Sequence, residues 1–174
     1  MPTPTPLVVT PLPFVLHVKR TTGGCEMARP HRLPRERYRI PGQPVTFAIR
    51  AEPGLTLTRK VTAPLLVQAL RFNARNHGCQ LMAYCIMPDH LHLVARVGPS
   101  GGDLLDFVDG FKRRTATTLA PFSSGRDIWQ ERYWDRHVRS KEPVQNVIYY
   151  TMMNPVRAGL CENWRDWQYS WMML

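Results

Sequence analysis

The run YCIMPDHLHLVARV, residues 84–97, does most to limit what this chain can fold into. Apolar and polar positions alternate on both sides of Pro88-Asp89, which reads as two strands, 81–87 and 91–97, joined too tightly for anything but an antiparallel pair. On a strand, residues i and i+2 point to one face, so His90 and His92 project side by side. A neutral imidazole is a good ligand for a divalent ion, and a rigid strand holds two of them in fixed geometry. Taken alone, the same pattern also describes two half-buried strand histidines with satisfied hydrogen bonds.

The remaining elements follow from periodicity. A strand is predicted over 45–50, with Pro53-Gly54 turning after it. Leu66, Ala69 and Leu70 recur at helical spacing within 63–77, with Pro64 in the tolerated first turn and Gly78 as the stop. Residues 98–102 read as a flexible glycine loop. Leu104, Leu105, Phe107, Val108, Phe111 and Leu119 then give a second helix its buried stripe. A strand over 129–138 and a helix opened by Pro143 complete the series. This order predicts an α+β fold, a ferredoxin-like split βαβ antiparallel sheet with helices on one face and an added C-terminal helix. RNA-recognition modules share that topology, so fold alone does not decide function.

The 174 residues suffice for one domain with a true core. A catalytic domain is expected over 43–174, behind a proline-rich and basic extension, 1–42, that is partly disordered. Residues 7–18 are apolar but lack a basic n-region and contain Pro11 and Pro13, which argues against a signal peptide or a spanning segment. No membrane partner is expected. Lys and Arg number 23 against 13 Asp and Glu, a net charge of +10, which attracts polyanions and points to nucleic acid. Arg29, Arg32, Arg35, Arg37 and Arg39 are either a phosphate clamp or a solvated basic arm. The four cysteines show no C-x-x-C spacing, so neither a zinc cluster nor a disulfide framework is indicated. Reduced thiols and a cytoplasmic, nucleoid-associated protein are the expectation.

A second motif, NVIYYTMMNPVRAGL, occupies residues 146–160. On a helix, Tyr150, Asn154 and Arg157 lie at i, i+4 and i+7 on one face. A phenol can act as nucleophile, an amide carbonyl can complete a hard metal's shell, and a guanidinium grips phosphate in a bidentate fork. Pro155 pushes the residue before it out of helical geometry, so the helix is expected to end near Met153, with Asn154 capping a short following turn. A core helix packing Tyr149, Met152 and Met153 inward is the alternative. Upstream, IWQERYWDRHVR interleaves Trp129, Tyr133 and Trp134 with Arg132, Arg136 and Arg139, a composition suited to stacking exposed bases and neutralising phosphates. Half of these aromatics are expected to fill the core instead. Lys112, Arg113 and Arg114 sweep too wide an arc of their helix to form one patch.

Taken in order, MPDHLHLV, FKRRTATTL, IWQERYWDRHVRS and YYTMMNPVRAGL resemble the single-tyrosine HUH transposases, most closely the REP-associated tyrosine transposases, from Met27 to about Trp171. The native chain is accordingly expected to start at Met27. The resemblance implies Tyr150 as the residue that attacks DNA, and His90, His92 and Asn154 as ligands of Mg²⁺ or Mn²⁺. It implies a metal-dependent single-stranded DNA endonuclease and strand transferase that forms a covalent 5′-phosphotyrosine at hairpin or palindromic sites. Asp89 stands where the family often has Asn, and the spacing to Asn154 selects Tyr150 over Tyr149. Arg157, Lys112, Arg113, Arg132, Trp134 and Arg136 are the expected contacts to single-stranded or hairpin DNA, in a monomer or a homodimer. Two rivals remain: a non-catalytic nucleic-acid-binding module on the same fold, and a histidine phosphoesterase, which the presence of just one H-x-H disfavours.

Overall fold

A computed structural model describes residues 33–173 of the chain. The expected extension ahead of residue 33, Arg29 and Arg32 within it, and the expected start at Met27 lie outside the described residues. The elements run β1 (Pro44–Ala51), α1 (Thr62–Asn76), β2 (Cys79–Ile86), β3 (His90–Val97), α2 (Leu104–Leu119), β4 (Trp129–His137), α3 (Val144–Met152), α4 (Asn154–Arg157) and β5 (Ser170–Met172). The sheet order is β4-β1-β3-β2-β5, every pairing antiparallel. Its first four strands keep the ferredoxin-like order, and β5 extends the sheet beyond β2.

Alternation on the strands divides the core in two. Phe47, Ile49, Tyr84, Ile86, Leu91 and Leu93 face α1 and α2, whose Leu66, Leu70, Phe107 and Phe111 are fully buried against them. The opposite face carries a smaller cluster in which Met82, Ala83 and Val94 meet Val147, Ile148 and Met152 of α3. So α1 and α2 share one face, and the added helix α3 covers part of the other. His90 and His92, four and two residues ahead of Val94 in the same alternation, project on the α3 side.

Two sequence expectations are corrected. The boundary expected at residue 42 falls inside the packed body. Residues Arg35–Arg39 form a 3-10 turn whose Tyr38 is completely buried, with its hydroxyl bonded to Asp135 and its ring edge-on to His137 at 5.0 Å. Arg35 and Arg39 donate from Nε to the Asp103 carboxylate at 2.9 and 2.8 Å, while Arg35 also reaches Asp106. Those two arginines anchor the turn rather than offering a free clamp.

The glycine loop expected to be flexible is held backbone to backbone. Gly98 N–H donates to Gly78 O at 2.8 Å and Asp103 N–H to His77 O at 3.3 Å. Gly78 takes φ +64°, and a Cβ there would lie 2.0 Å from Gly101 O, so no other residue fits. Asp103 then caps α2, accepting from the Leu105 and Asp106 amides at 2.8 and 3.2 Å.

Residues 163–173 strap the outer edge of β2. Ile86 N–H donates to Tyr169 O at 2.9 Å, Met173 N–H to Met82 O at 2.8 Å, and Trp167 Nε1 to Ile86 O at 3.0 Å. Trp171 stacks on Tyr84 with ring centroids 6.0 Å apart.

Candidate active site

β3 brings the two imidazoles together because both stand on one face at adjacent same-side positions. Their Nε2 atoms are 2.9 Å apart. Two nitrogens each about 2.1 Å from one ion and at right angles around it would stand about 3 Å apart, so this spacing, which also suits a hydrogen bond between the rings, is compatible with a shared ion. His90 Nδ1 lies 2.6 Å from Asp89 Oδ1. A carboxylate there favours the proton on Nδ1 and turns the Nε2 lone pair outward, which is how outer-shell carboxylates orient metal-ligating histidines. Burial, and then electrostatic repulsion from His90, Arg157 and Arg50, pushes the His92 pKa down to about 3 against the opposing pull of Asp89. His92 is therefore neutral at physiological pH, the state in which imidazole can ligate.

Among the described residues no group of three or more His, Cys, Asp and Glu side chains converges. A divalent ion held by the histidine pair would have to complete its shell from another residue type, and an amide oxygen is a suitable donor for a hard cation. Asn154 is the sequence-predicted one. It begins α4 directly after Met153, where α3 breaks ahead of Pro155. Its Nδ2 donates back to the carbonyls of Tyr150 at 3.2 Å and Thr151 at 3.0 Å, which commits the nitrogen and leaves Oδ1 as the atom to be offered elsewhere.

The break does not destroy the stripe. The Arg157 guanidinium lies 4.3 Å from the centroid of the Tyr150 ring, so the phenol from α3 and the cation from α4 stack as a unit. Arg157 is also close enough to depress His92. Tyr150, Arg157 and the histidine pair thus occupy one neighbourhood. Tyr149 is 50% exposed, whereas Tyr150 is half-buried, which separates the two phenols that adjacency leaves ambiguous.

One charged residue at this site escapes a reading by motif. Arg50 sits on β1 directly opposite His90 in the strand register, and its charge acts on both Asp89 and His92. Its only sequence signal is that it closes an alternating run, and the register that sets it beside the histidines is a tertiary property.

The expected DNA contacts divide between the two faces. On β4, Trp129 and Tyr133 are buried in the core on the helix side, with Trp129 Nε1 donating to Thr115 Oγ1 at 2.8 Å, so these two aromatics are structural. Trp134 pairs across from Ala48, which in turn pairs with His92, so it lies on the histidine side, with Arg136 two residues on. Arg136 grips Glu142 through both terminal nitrogens at 2.6 and 3.1 Å. Arg132 is exposed on the same strand.

Lys112 and Arg113 are not brought to the histidines. Both lie on α2, which covers the opposite face. Lys112 Nζ donates to the carbonyls of Gln130 and Glu131 at 2.9 and 2.8 Å, tying α2 to β4, and Arg113 is exposed. No helix among the described residues is long and apolar enough to cross a membrane.

A family model described as an IS200-like transposase matches residues 55–153, well over half of the chain. A Haemophilus influenzae protein named as a REP-associated tyrosine transposase is 28% identical over 113 residues, 59% of this chain and 64% of its own length. The REP-associated tyrosine transposase of Escherichia coli K12 is 24% identical over 134 residues, 77% of this chain and 79% of the relative. The chain thus spans somewhat under two thirds of the first of these relatives. A solved structure of a REP-associated tyrosine transposase bound to a REP hairpin superposes with a TM-score of 0.64 at 21% identity, covering 77% of this chain and 79% of that one, which is a likeness of fold. With the family match spanning α1 through the tyrosine helix, the chain belongs to the IS200-like transposase family.

Proposed function

We propose that this protein is a single-tyrosine, metal-dependent endonuclease and strand transferase that acts on single-stranded DNA at hairpin sites. The observation that carries the reading is the 2.9 Å approach of His90 Nε2 and His92 Nε2 on the sheet face that also packs the tyrosine helix. His90, His92 and Asn154 Oδ1 would hold Mg²⁺ or Mn²⁺. Bound there, the ion would offset the negative charge that develops on the phosphoryl group.

The chain's own residues do the rest. Tyr150 Oη attacks the phosphorus, a new tyrosyl O–P bond forms, and the bond to the 3′-oxygen of the departing strand breaks. That oxygen takes a proton and leaves as a free 3′-OH, while the 5′-phosphate stays on the tyrosine. The diester's bond energy is conserved, so a second strand's 3′-OH can reverse the step and rejoin DNA without ATP. Arg157 lies against the Tyr150 ring, 4.3 Å from its centroid, and so sits beside the attacking group. It also stands ready for a phosphate oxygen.

Hairpin DNA as substrate is supported by the excess of basic residues, by Trp134 and Arg132 on the histidine side of the sheet, and by the hairpin carried by the solved relative. Because α3 packs on the sheet of its own chain, the reading requires no second protomer. The test is to incubate a labelled hairpin oligonucleotide with Mn²⁺ and resolve the product in SDS. A denaturant-stable adduct is expected with the wild type and is lost in Tyr150→Phe and His90→Ala. An undiminished adduct in Tyr150→Phe moves the nucleophile to Tyr149, and metal-independent binding without any adduct reduces the protein to a binding module.

A further inference from the structure

Arg50 presents beside the histidine pair a guanidinium that the fold of the described residues leaves without a hydrogen bond. It stands directly across from His90 in the β1–β3 register, on the same face of the sheet, and it is exposed. Several other arginines of the chain are committed: Arg136 to Glu142, Arg35 and Arg39 to Asp103, Arg96 to Gln80, and Arg126 to the carbonyls of Ser123 and Pro53. Arg50 has no hydrogen bond or ion pair among the described residues. Its guanidinium adds positive charge to a site that is expected to hold a divalent cation, and in return it gives Asp89 an electrostatic pull without a bond.

The surroundings of Arg50 fit a DNA strand. Ala48, two residues back on the same face, is a small residue between His92 and Trp134, and all three are partly exposed along a line from the histidine pair across β1 to β4. A single strand laid along that line would set a base over Trp134 while its backbone passes Arg50. Arg157 approaches from the α4 side, and the two guanidiniums would flank the histidines.

We propose that Arg50 is a phosphate-binding residue of this protein, gripping the DNA backbone beside the histidine pair and positioning the scissile linkage between itself and Arg157. The assignment rests on the strand-transferase reading above and adds to it the residue that fixes the substrate's register. A guanidinium can hold two non-bridging oxygens in parallel, which an ammonium cannot.

The experiment measures hairpin-oligonucleotide affinity against salt in a Tyr150→Phe background, where the strand cannot be cut, for Arg50, Arg50→Gln and Arg50→Lys. Removing one phosphate contact lowers the steepness of log affinity against log salt by about one counter-ion. Arg50→Gln should bind about 10-fold more weakly with that shallower slope, and Arg50→Lys should recover part of the slope. An Arg75→Gln control on the exposed side of α1 should leave both unchanged. A scan of single methylphosphonate linkages should find one position that weakens the Arg50 protein and not the Arg50→Gln protein.

Unchanged affinity and slope in Arg50→Gln overturn the proposal. So does an effect confined to thermal stability or Mn²⁺ affinity, which would make Arg50 a mere counter-ion for Asp89. If instead the slope shifts as expected but the intact Tyr150 protein forms no adduct, the phosphate contact stands and the strand-transferase reading falls.

Discussion

Replacing Asp89 tests whether the histidine pair is built to carry a metal. Asp89 Oδ1 is 2.6 Å from His90 Nδ1. Crossing the ring and adding a metal–nitrogen bond puts that oxygen about 6–7 Å from an ion on Nε2. A unit negative charge and a divalent cation at that separation attract by about 1.3 kcal/mol if the intervening medium is as polar as water, and more in a less polar one. The Asp89 side chain is 68% exposed, so the water-like figure applies. Asp89→Asn keeps an acceptor for Nδ1–H and removes the charge, and should therefore weaken Mn²⁺ about 10-fold. Asp89→Ala also frees the ring to rotate, and should move toward the 100-fold end of what outer-shell losses produce. Titration calorimetry, or the loss of free-ion Mn²⁺ paramagnetic signal, measures both. If Asp89→Ala binds Mn²⁺ as the wild type does, or if His90→Ala weakens it no further than Asp89→Asn, the carboxylate does not orient a ligand and the reasoning fails.

Asp103 links the residue 35–39 turn to the start of α2. Burial alone would raise its pKa, but hydrogen bonds from Arg39, the Asp106 amide, Arg35 and the Leu105 amide outweigh that and hold it below the usual carboxylate range. A depressed carboxylate contributes stability above its unfolded pKa of about 3.9 and loses it as pH falls through the folded value. Urea melts should show Asp103→Asn less stable than the wild type at pH 7, by about 1 kcal/mol for two half-exposed ion pairs, with the gap closing in strong acid; a pH-independent gap contradicts the assignment. Tyr38→Ala empties a completely buried ring site and should destabilise the protein by about 3–5 kcal/mol in the same assay, whereas a cost under about 1 kcal/mol would mean that this turn is only loosely docked.

The elements that could be read from the sequence are those whose signals are local. Alternation around Pro88-Asp89 foretold β2 and β3 and the shared face of His90 and His92, and the Asn154-Pro155 step foretold where α3 stops. What depends on distant partners was less visible. Ser170–Met172 is too short to carry a pattern, and it is a strand because the edge of β2 offers unpaired groups to it. Arg35 and Arg39 resemble any basic arm until Asp103 appears beside them. Lys112 looked like a phosphate contact, yet its ammonium serves two carbonyls of β4 on the far face. Arg50 owes its place to a strand register that no spacing within β1 encodes.

The side-chain amide of Asn154 is hooked onto the carbonyls of Tyr150 and Thr151, across the step between α3 and α4. Tyr150 and the Asn154 amide therefore move as one lever. On the proposed function, any swing that carried a tyrosine-linked strand away from the sheet would also withdraw the amide oxygen from the imidazoles, so cutting again would be disarmed for as long as the strand was held out. Docking the segment back would restore both groups in a single motion, and rejoining would become possible at the moment when the incoming end could be received.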